Sequence, residues 1–243
     1  MKFIPAIDLK NGKCVRLEQG KEDSATIFNE DPITQAKFFE KSGCERIHIV
    51  DLDAAFGRPN INRDLIIKIR NKTNVSIELG GGIKNEEDVL FWKNKGVDYL
   101  IIGSFAIKNK ESIFNINNST QEKIYIALDI LNYKIMIKGW EKNSGASIDE
   151  IIKFYNSSSI RGFVLTDISR DGMLRGLDIN LITDIVSKTK KNFIIGGGLS
   201  NYNDISNIQK TNLSNIEGVI AGKSFYSGNI EIKKALKIIK NNA

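Results

Sequence analysis

With 243 residues, 41% hydrophobic and 26% charged, the chain sits near the averages of folded globular proteins, which excludes disordered, fibrous and membrane-embedded classes. A domain of this length can bury roughly 70 to 75% of its unfolded surface, enough for one large core. The net charge of +6 suits an anionic partner, but the lysines are dispersed among acids with no aromatic-basic interleaving, so a phosphorylated small molecule is expected rather than nucleic acid.

No apolar run approaches the ~20 residues of a membrane helix. The start, Met1-Lys2-Phe3-Ile4-Pro5-Ala6-Ile7-Asp8, is a poor secretory signal, so a cytoplasmic monomer with no membrane partner is expected. Cys14 and Cys44 lie in no metal or disulfide spacing and are read as reduced thiols. The single histidine, His48, cannot make a zinc site of the usual kind and is read as a packed strand residue. Neither a metal nor a cofactor is expected.

In chain order, β-branched apolar runs predict eight strands: Phe3 to Ile7, Arg46 to Val50, Ser76 to Leu79, Tyr99 to Ile102, Ile124 to Leu128, Gly162 to Leu165, Phe193 to Ile195 and Gly218 to Ile220. Helical patterns alternate with them, over Pro32 to Ser42, Arg63 to Asn71, Glu86 to Lys95, Ser147 to Asn156, Ile179 to Lys188 and Ile230 to Asn241. Asp31-Pro32 is a strong helix start, with an acid to cap and proline at the first helical position. Alternating strands and helices signify βα units on a parallel sheet.

The two halves echo each other. Ala6-Ile7-Asp8-Leu9 matches Ala127-Leu128-Asp129-Ile130, Val50-Asp51-Leu52 resembles Thr166-Asp167-Ile168, Gly80-Gly81-Gly82-Ile83 matches Gly196-Gly197-Gly198-Leu199, and Gly103-Ser104-Phe105 parallels Gly222-Lys223-Ser224-Phe225. Two sets of four βα units close naturally into an α/β fold of the (β/α)8 TIM-barrel type, built from two similar half-barrels. A single domain over 1–243 is expected, with repeats of about 1–122 and 123–243.

Active sites of such barrels form at the C-terminal strand ends. Asp8 and Asp129, each closing an apolar strand on opposite sides, are candidates for general base and general acid. Asp51 and Thr166 occupy similar strand ends. The glycine triplets, followed one strand later by Gly103-Ser104 and Gly222-Lys223, have the character of phosphate sites, with close backbone approach and a helix start. Two such sites related by a pseudo-twofold axis imply a ligand with a phosphate at each end and reacting carbons between Asp8 and Asp129.

Pro5-Ala6-Ile7-Asp8-Leu9 with Gly12-Lys13-Cys14-Val15-Arg16-Leu17, His48-Ile49-Val50-Asp51-Leu52-Asp53, Gly80-Gly81-Gly82-Ile83, Gly139-Trp140 and Thr166-Asp167-Ile168-Ser169-Arg170-Asp171-Gly172 closely resemble the isomerase family of histidine biosynthesis, over residues 3 to about 228. The resemblance implies an Amadori rearrangement of ProFAR, a phosphoribosylformimino-aminoimidazole carboxamide ribotide, into its ribulosyl isomer PRFAR. It further implies Asp8 as the base at the ribose C2′, Asp129 as the ring-opening acid and Thr166 as positioning the reacting sugar near Asp129; Asp51, from its strand end alone, is read as a substrate contact. Gly82 and Ser104 would hold one phosphate, Gly198, Gly222 and Lys223 the other, and Trp140 in a mobile loop would stack on substrate. Lys84 stands where the family commonly has arginine, and Ala54 where it often has glycine. The cyclase of imidazole glycerol phosphate synthase shares the barrel and repeat, but usually begins Pro-Cys-Leu-Asp-Val. A dual isomerase for phosphoribosylanthranilate and a non-catalytic phosphate-binding barrel are further alternatives.

Overall fold

The computed structural model describes residues 1–18 and 20–241. Positions 19, 242 and 243, which fall within the expected domain span, lie outside the described residues. Eight parallel strands form the barrel: β1 (Lys2–Lys10), β2 (Arg46–Asp51), β3 (Ser76–Gly80), β4 (Tyr99–Ile102), β5 (Ile124–Leu131), β6 (Gly162–Asp167), β7 (Asn192–Gly196) and β8 (Ile216–Ala221). Each pairs with the next, and β8 pairs with β1 through Phe3↔Val219 and Ile4↔Ile220, which closes the ring.

Alternation along the strands sorts side chains into two cores. Phe3, Ile7, Ile47, Ile49, Ile77 and Leu79 point outward into the layer shared with the helices. Ile4, Ile101, Tyr125, Val164 and Ile194 point inward and fill the barrel. Both cores are apolar because a parallel barrel is covered on both faces, so its strands read as near-continuous hydrophobic runs.

The helices start where capping residues direct. Asp31 accepts from the N–H groups of Ile33 and Thr34 ahead of helix Pro32–Lys41, and Ser147 accepts from Glu150 N–H ahead of Ile148–Asn156. Each such cap contributes about 1 kcal/mol by satisfying an orphan donor. Helices Arg63–Lys72, Glu86–Asn94, Ile179–Val186 and Ile232–Asn241 complete the expected set, each within two residues of its predicted limits. Between β4 and β5, where no helix is predicted, three short ones run over Ser104–Lys108, Lys110–Asn115 and Asn118–Gln121.

Two hairpins depart from a minimal barrel. Strands Lys13–Glu18 and Lys21–Asn29 rise from the end of β1, with Asp8 opposite Val15. Strand Lys134–Ile137 folds back on β5 and pairs with Lys142–Asn143. The floor is closed by charge. Arg46, 2% exposed, reaches Glu217 (2.7 Å) and Glu78 (3.3 Å) and lies 4.0 Å from the centre of the Tyr99 ring. A buried guanidinium needs such partners, since an unpaired one would cost several kcal/mol.

Candidate active site at the barrel mouth

The repeat is visible in the backbone itself. Gly103 and Gly222 share nearly one conformation, φ −95°, ψ −102° and φ −98°, ψ −104°. Gly81 (φ +92°) and Gly197 (φ +80°) lie in the left-handed region, and a Cβ on either would stand 2.3 or 2.4 Å from the carbonyl oxygen of Asp51 or Asp167. Gly82 is pressed by Ala54, and Gly198 by Gly176. The second and third glycines are therefore required by close backbone packing as well as by any ligand. Helices Ser104–Lys108 and Lys223–Tyr226 begin beside them without a side-chain cap, so their first N–H groups are available to an anion.

Asp8 is partly buried, ion-paired with Arg16 Nη1, while Arg16 Nη2 donates to Ala6 O. The guanidinium lies 5.0 Å from the Tyr226 ring centre and packs against Gly222, where a Cβ would meet Arg16 Cζ at 3.1 Å. Arg16 thus joins the Asp8 carboxylate to one of the glycine sites.

Asp129 is the Cα partner of Thr166 across β5 and β6. The Thr166 hydroxyl and the Trp140 indole N–H donate to its carboxylate. Burial pushes the Asp129 carboxyl above the usual carboxylate range, against the pull of those two hydrogen bonds and of His48. Trp140 belongs to a turn of three left-handed residues, Lys138 (φ +57°), Gly139 (φ +63°) and Trp140 (φ +73°). Two non-glycine residues in that conformation cost about 1 to 2 kcal/mol each. Lys138 N–H donates to the Ser104 hydroxyl at 2.8 Å, and the indole lies on Gly20 of the first hairpin. The two hairpins therefore meet over the mouth, with Trp140 between them.

Of the residues expected at the site, the mouth gathers Asp8, Asp129, Thr166, Trp140 and the strand-end elements Gly82, Ser104, Gly198, Gly222 and Lys223. Lys223 is ion-paired with Glu18 of the first hairpin at 2.8 Å. Asp51 is placed differently. It is 3% exposed, and its carboxylate accepts from Ala54 N–H (3.1 Å) and Asn62 Nδ2 (2.8 Å), capping the turn Leu52–Ala55. Val50, not Asp51, faces the barrel, because side chains alternate along a strand.

Asp171 is a further buried carboxyl that no strand-end rule identifies. It lies in the loop after β6, and burial together with the charges of Asp8 and Asp129 pushes its carboxyl up to about 7, despite Arg16 and His48 pulling it down. A carboxyl poised near neutrality among two other carboxyls has the character of a proton donor. The motif Ser169-Arg170-Asp171-Gly172 was the available signal. Arg170 shapes that loop through Asp167 (3.3 Å), Asp178 (3.6 Å) and the carbonyl oxygens of Arg175 and Gly176.

A closed (β/α)8 barrel with carboxyls at its mouth and a glycine-built strand end on either side of them is the architecture of a barrel enzyme, with its polar groups gathered at the C-terminal strand ends. The chain belongs to the histidine biosynthesis protein family, whose model matches residues 2–231. It is 35% identical over 242 residues to a protein of Maridesulfovibrio salexigens, covering all of both chains. It is 38% identical over 239 residues to one of Aliarcobacter butzleri, covering 98% of this chain and all of the other. A protein of Rhizobium etli is 34% identical, with 100% of this chain and 98% of that one covered. All three carry the name 1-(5-phosphoribosyl)-5-((5-phosphoribosylamino)methylideneamino) imidazole-4-carboxamide isomerase.

Proposed function

We propose that this chain converts ProFAR to PRFAR, an aldose-to-ketose Amadori rearrangement. The observation that carries this reading is the trio of carboxyls, Asp8, Asp129 and Asp171, electrostatically coupled at one mouth between two glycine sites. The relatives' names, with two phosphoribosyl groups, match a ligand bearing a phosphate at each end.

The reaction needs a proton delivered to the furanose ring oxygen, so that the C1′–O4′ bond breaks and nitrogen forms an iminium with C1′. A base then takes the C2′ proton to give an enolamine. Protonation at C1′ and loss of the C2′ hydroxyl proton leave the ketose, with no net oxidation. Asp8, oriented by Arg16, is the base. Asp129 and Asp171 form the acid side. Holding an ordinary Asp, with pKa of about 3.9, protonated near pH 7 would cost roughly 4 kcal/mol. The site of Asp171 supplies most of that through burial and like charge, so the proton rests on Asp171 and is shared with Asp129 as substrate binds. Thr166 and the Trp140 indole hold Asp129 in place. The glycine pair Gly82 and Ser104 takes one phosphate, and Gly198, Gly222 and Lys223 the other, with Lys223 leaving Glu18 to do so.

The partner in this reading is a small bisphosphorylated molecule rather than nucleic acid or membrane, and the enzyme is a cytoplasmic monomer without cofactor. Incubation of the purified chain with ProFAR tests it. The isomerase absorbance change is expected without any ammonia source. Inertness towards ProFAR together with ammonia-dependent turnover of PRFAR would instead make it a cyclase, and a phosphoribosylanthranilate arm reads dual specificity.

A further inference from the structure

Tyr226 stands beside the base but has no part in the reaction described above. It ends the four-residue helix Lys223–Tyr226, the turn that also supplies Lys223 to the proposed phosphate site. The centre of its partly buried ring lies 5.0 Å from Arg16 Cζ, and its hydroxyl donates to the Ala6 carbonyl oxygen at 3.1 Å. Arg16 Nη2 donates to that same oxygen, while Nη1 is ion-paired with Asp8. Tyrosine, arginine and base therefore meet at the end of β1.

β8 pairs with β1 only as far as Pro5↔Ala221. One residue further, the two lone pairs of the Ala6 carbonyl serve two side-chain donors instead. Arg16 has little else to fix its orientation. Its side chain is 10% exposed, and Nε has no hydrogen-bond partner among the described residues. A buried N–H left unpaired is costly, so an unrestrained guanidinium would turn Nε towards water and take Nη1 off Asp8. An aromatic face attracts the cation without using any N–H, and it opposes that turn. The ring is itself braced, by Phe225 at 4.9 Å and by Phe28 of the first hairpin at 5.0 Å.

We propose, on the reading that Asp8 is the base of the isomerisation, that Tyr226 is a positioning residue: its ring and hydroxyl hold the Arg16 guanidinium so that Asp8 is presented to the reacting carbon. Tyr226 touches no substrate in this scheme and acts only through Arg16 and the Ala6 carbonyl. The turn that grips a phosphate with Lys223 thus also braces the base.

Tyr226→Phe keeps the ring and loses the hydroxyl, and is expected to lower kcat about 3- to 10-fold. Tyr226→Leu loses both and should lower it about 10- to 100-fold, each with KM within about threefold of wild type. In an Arg16→Met background, Tyr226→Leu should cost less than about twofold more, because the group it holds is gone. The same loss in both backgrounds is the mark of a merely structural tyrosine and overturns the proposal. A second readout needs no substrate. In full-length protein labelled with 15N-arginine, the Arg16 Nε–H signal, identified by its disappearance in Arg16→Lys, is expected to be displaced by the ring in wild type and Tyr226→Phe. In Tyr226→Leu it should move to the ordinary arginine position, and an unmoved signal in that folded variant also refutes the idea. Where Tyr226→Leu does not fold, Tyr226→Phe decides, with unchanged kcat as the refuting result. Wild type inert towards ProFAR would defeat the isomerase reading itself, whereas active wild type with unaltered variants would remove Tyr226 alone.

Discussion

Replacing Asp171 by Asn should make the protein more stable, and more so as the pH rises. The carboxyl titrates near 3.8 as a free side chain and is pushed up to about 7 in the fold. Between those values the folded state binds a proton that the unfolded state releases, so wild-type stability falls with rising pH through this window and levels off above about 7. At about 1.4 kcal/mol per unit, the contribution lost between pH 5 and pH 8 is about 3 kcal/mol. Asparagine does not titrate, so the stability gap between variant and wild type should widen by that amount. For a chain of this length, 1 kcal/mol corresponds to roughly 2 to 4 °C in Tm, which makes the widening about 6 to 12 °C. Urea unfolding of both proteins at pH 5 and pH 8 measures it, and the same preparations should show turnover reduced by about 10² or more. A gap that widens by less than about 1 kcal/mol would mean that Asp171 is not held protonated, and the acid role assigned to it would fall with that result.

Asp8→Asn and Asp129→Asn are each expected to lower kcat by at least about 10² with cooperative unfolding retained, and near wild-type turnover in either would remove that residue from the mechanism. Trp140→Phe deletes the indole donor to Asp129 while keeping a ring over Gly20. Steady-state assays should find kcat down by about tenfold, in line with loss of one hydrogen bond to a charged group. Gly197→Ala places a methyl 2.4 Å from Asp167 O at φ +80° and should cost several kcal/mol by urea titration. Gly12→Ala, at φ +74° with nothing within 4 Å, should cost only about 1 kcal/mol, the left-handed penalty alone. Equal losses at the two glycines would show that the close approach does not constrain the first.

The barrel strands and most helices were legible because burial on both faces makes β-branched runs, and because caps such as Asp31 and Ser147 mark starts by local chemistry. The hairpins were not. Strand Lys21–Asn29 has no buried residue and so leaves no alternating apolar trace, and Lys134–Ile137 is only four residues long. The position of Asp8, Asp129 and Thr166 at the strand ends was readable from their place after apolar runs. The same rule drew in Asp51, whose side chain turns outward to cap a helical turn. Asp171 was passed over for the opposite reason. It ends no strand, and its altered acidity arises from Asp8, Asp129 and Arg16, brought near it only by closure of the barrel.

Duplication and chemistry make opposite demands on this mouth. The glycine sites keep the symmetry, down to matched backbone angles at Gly103 and Gly222, which suits the proposed ligand with a phosphate at each end. Acid-base catalysis requires that equivalent aspartates differ. The difference comes from what was added at the strand ends rather than from the strands. The first hairpin delivers the Arg16 cation to Asp8, whereas the second delivers a neutral indole to Asp129. Asp8 is thus held in an ion pair, whereas the neutral donors around Asp129 offset its burial only in part and leave its carboxyl above the usual range. Exchanging these environments should therefore do more harm than weakening either. A cationic side chain at position 140, as in Trp140→Arg, should stabilise ionised Asp129, draw the shared proton off the acid side and lower the pH at which kcat begins to fall. A basic limb that stays in place in a folded Trp140→Arg protein would show that the hairpins do not set the division between acid and base.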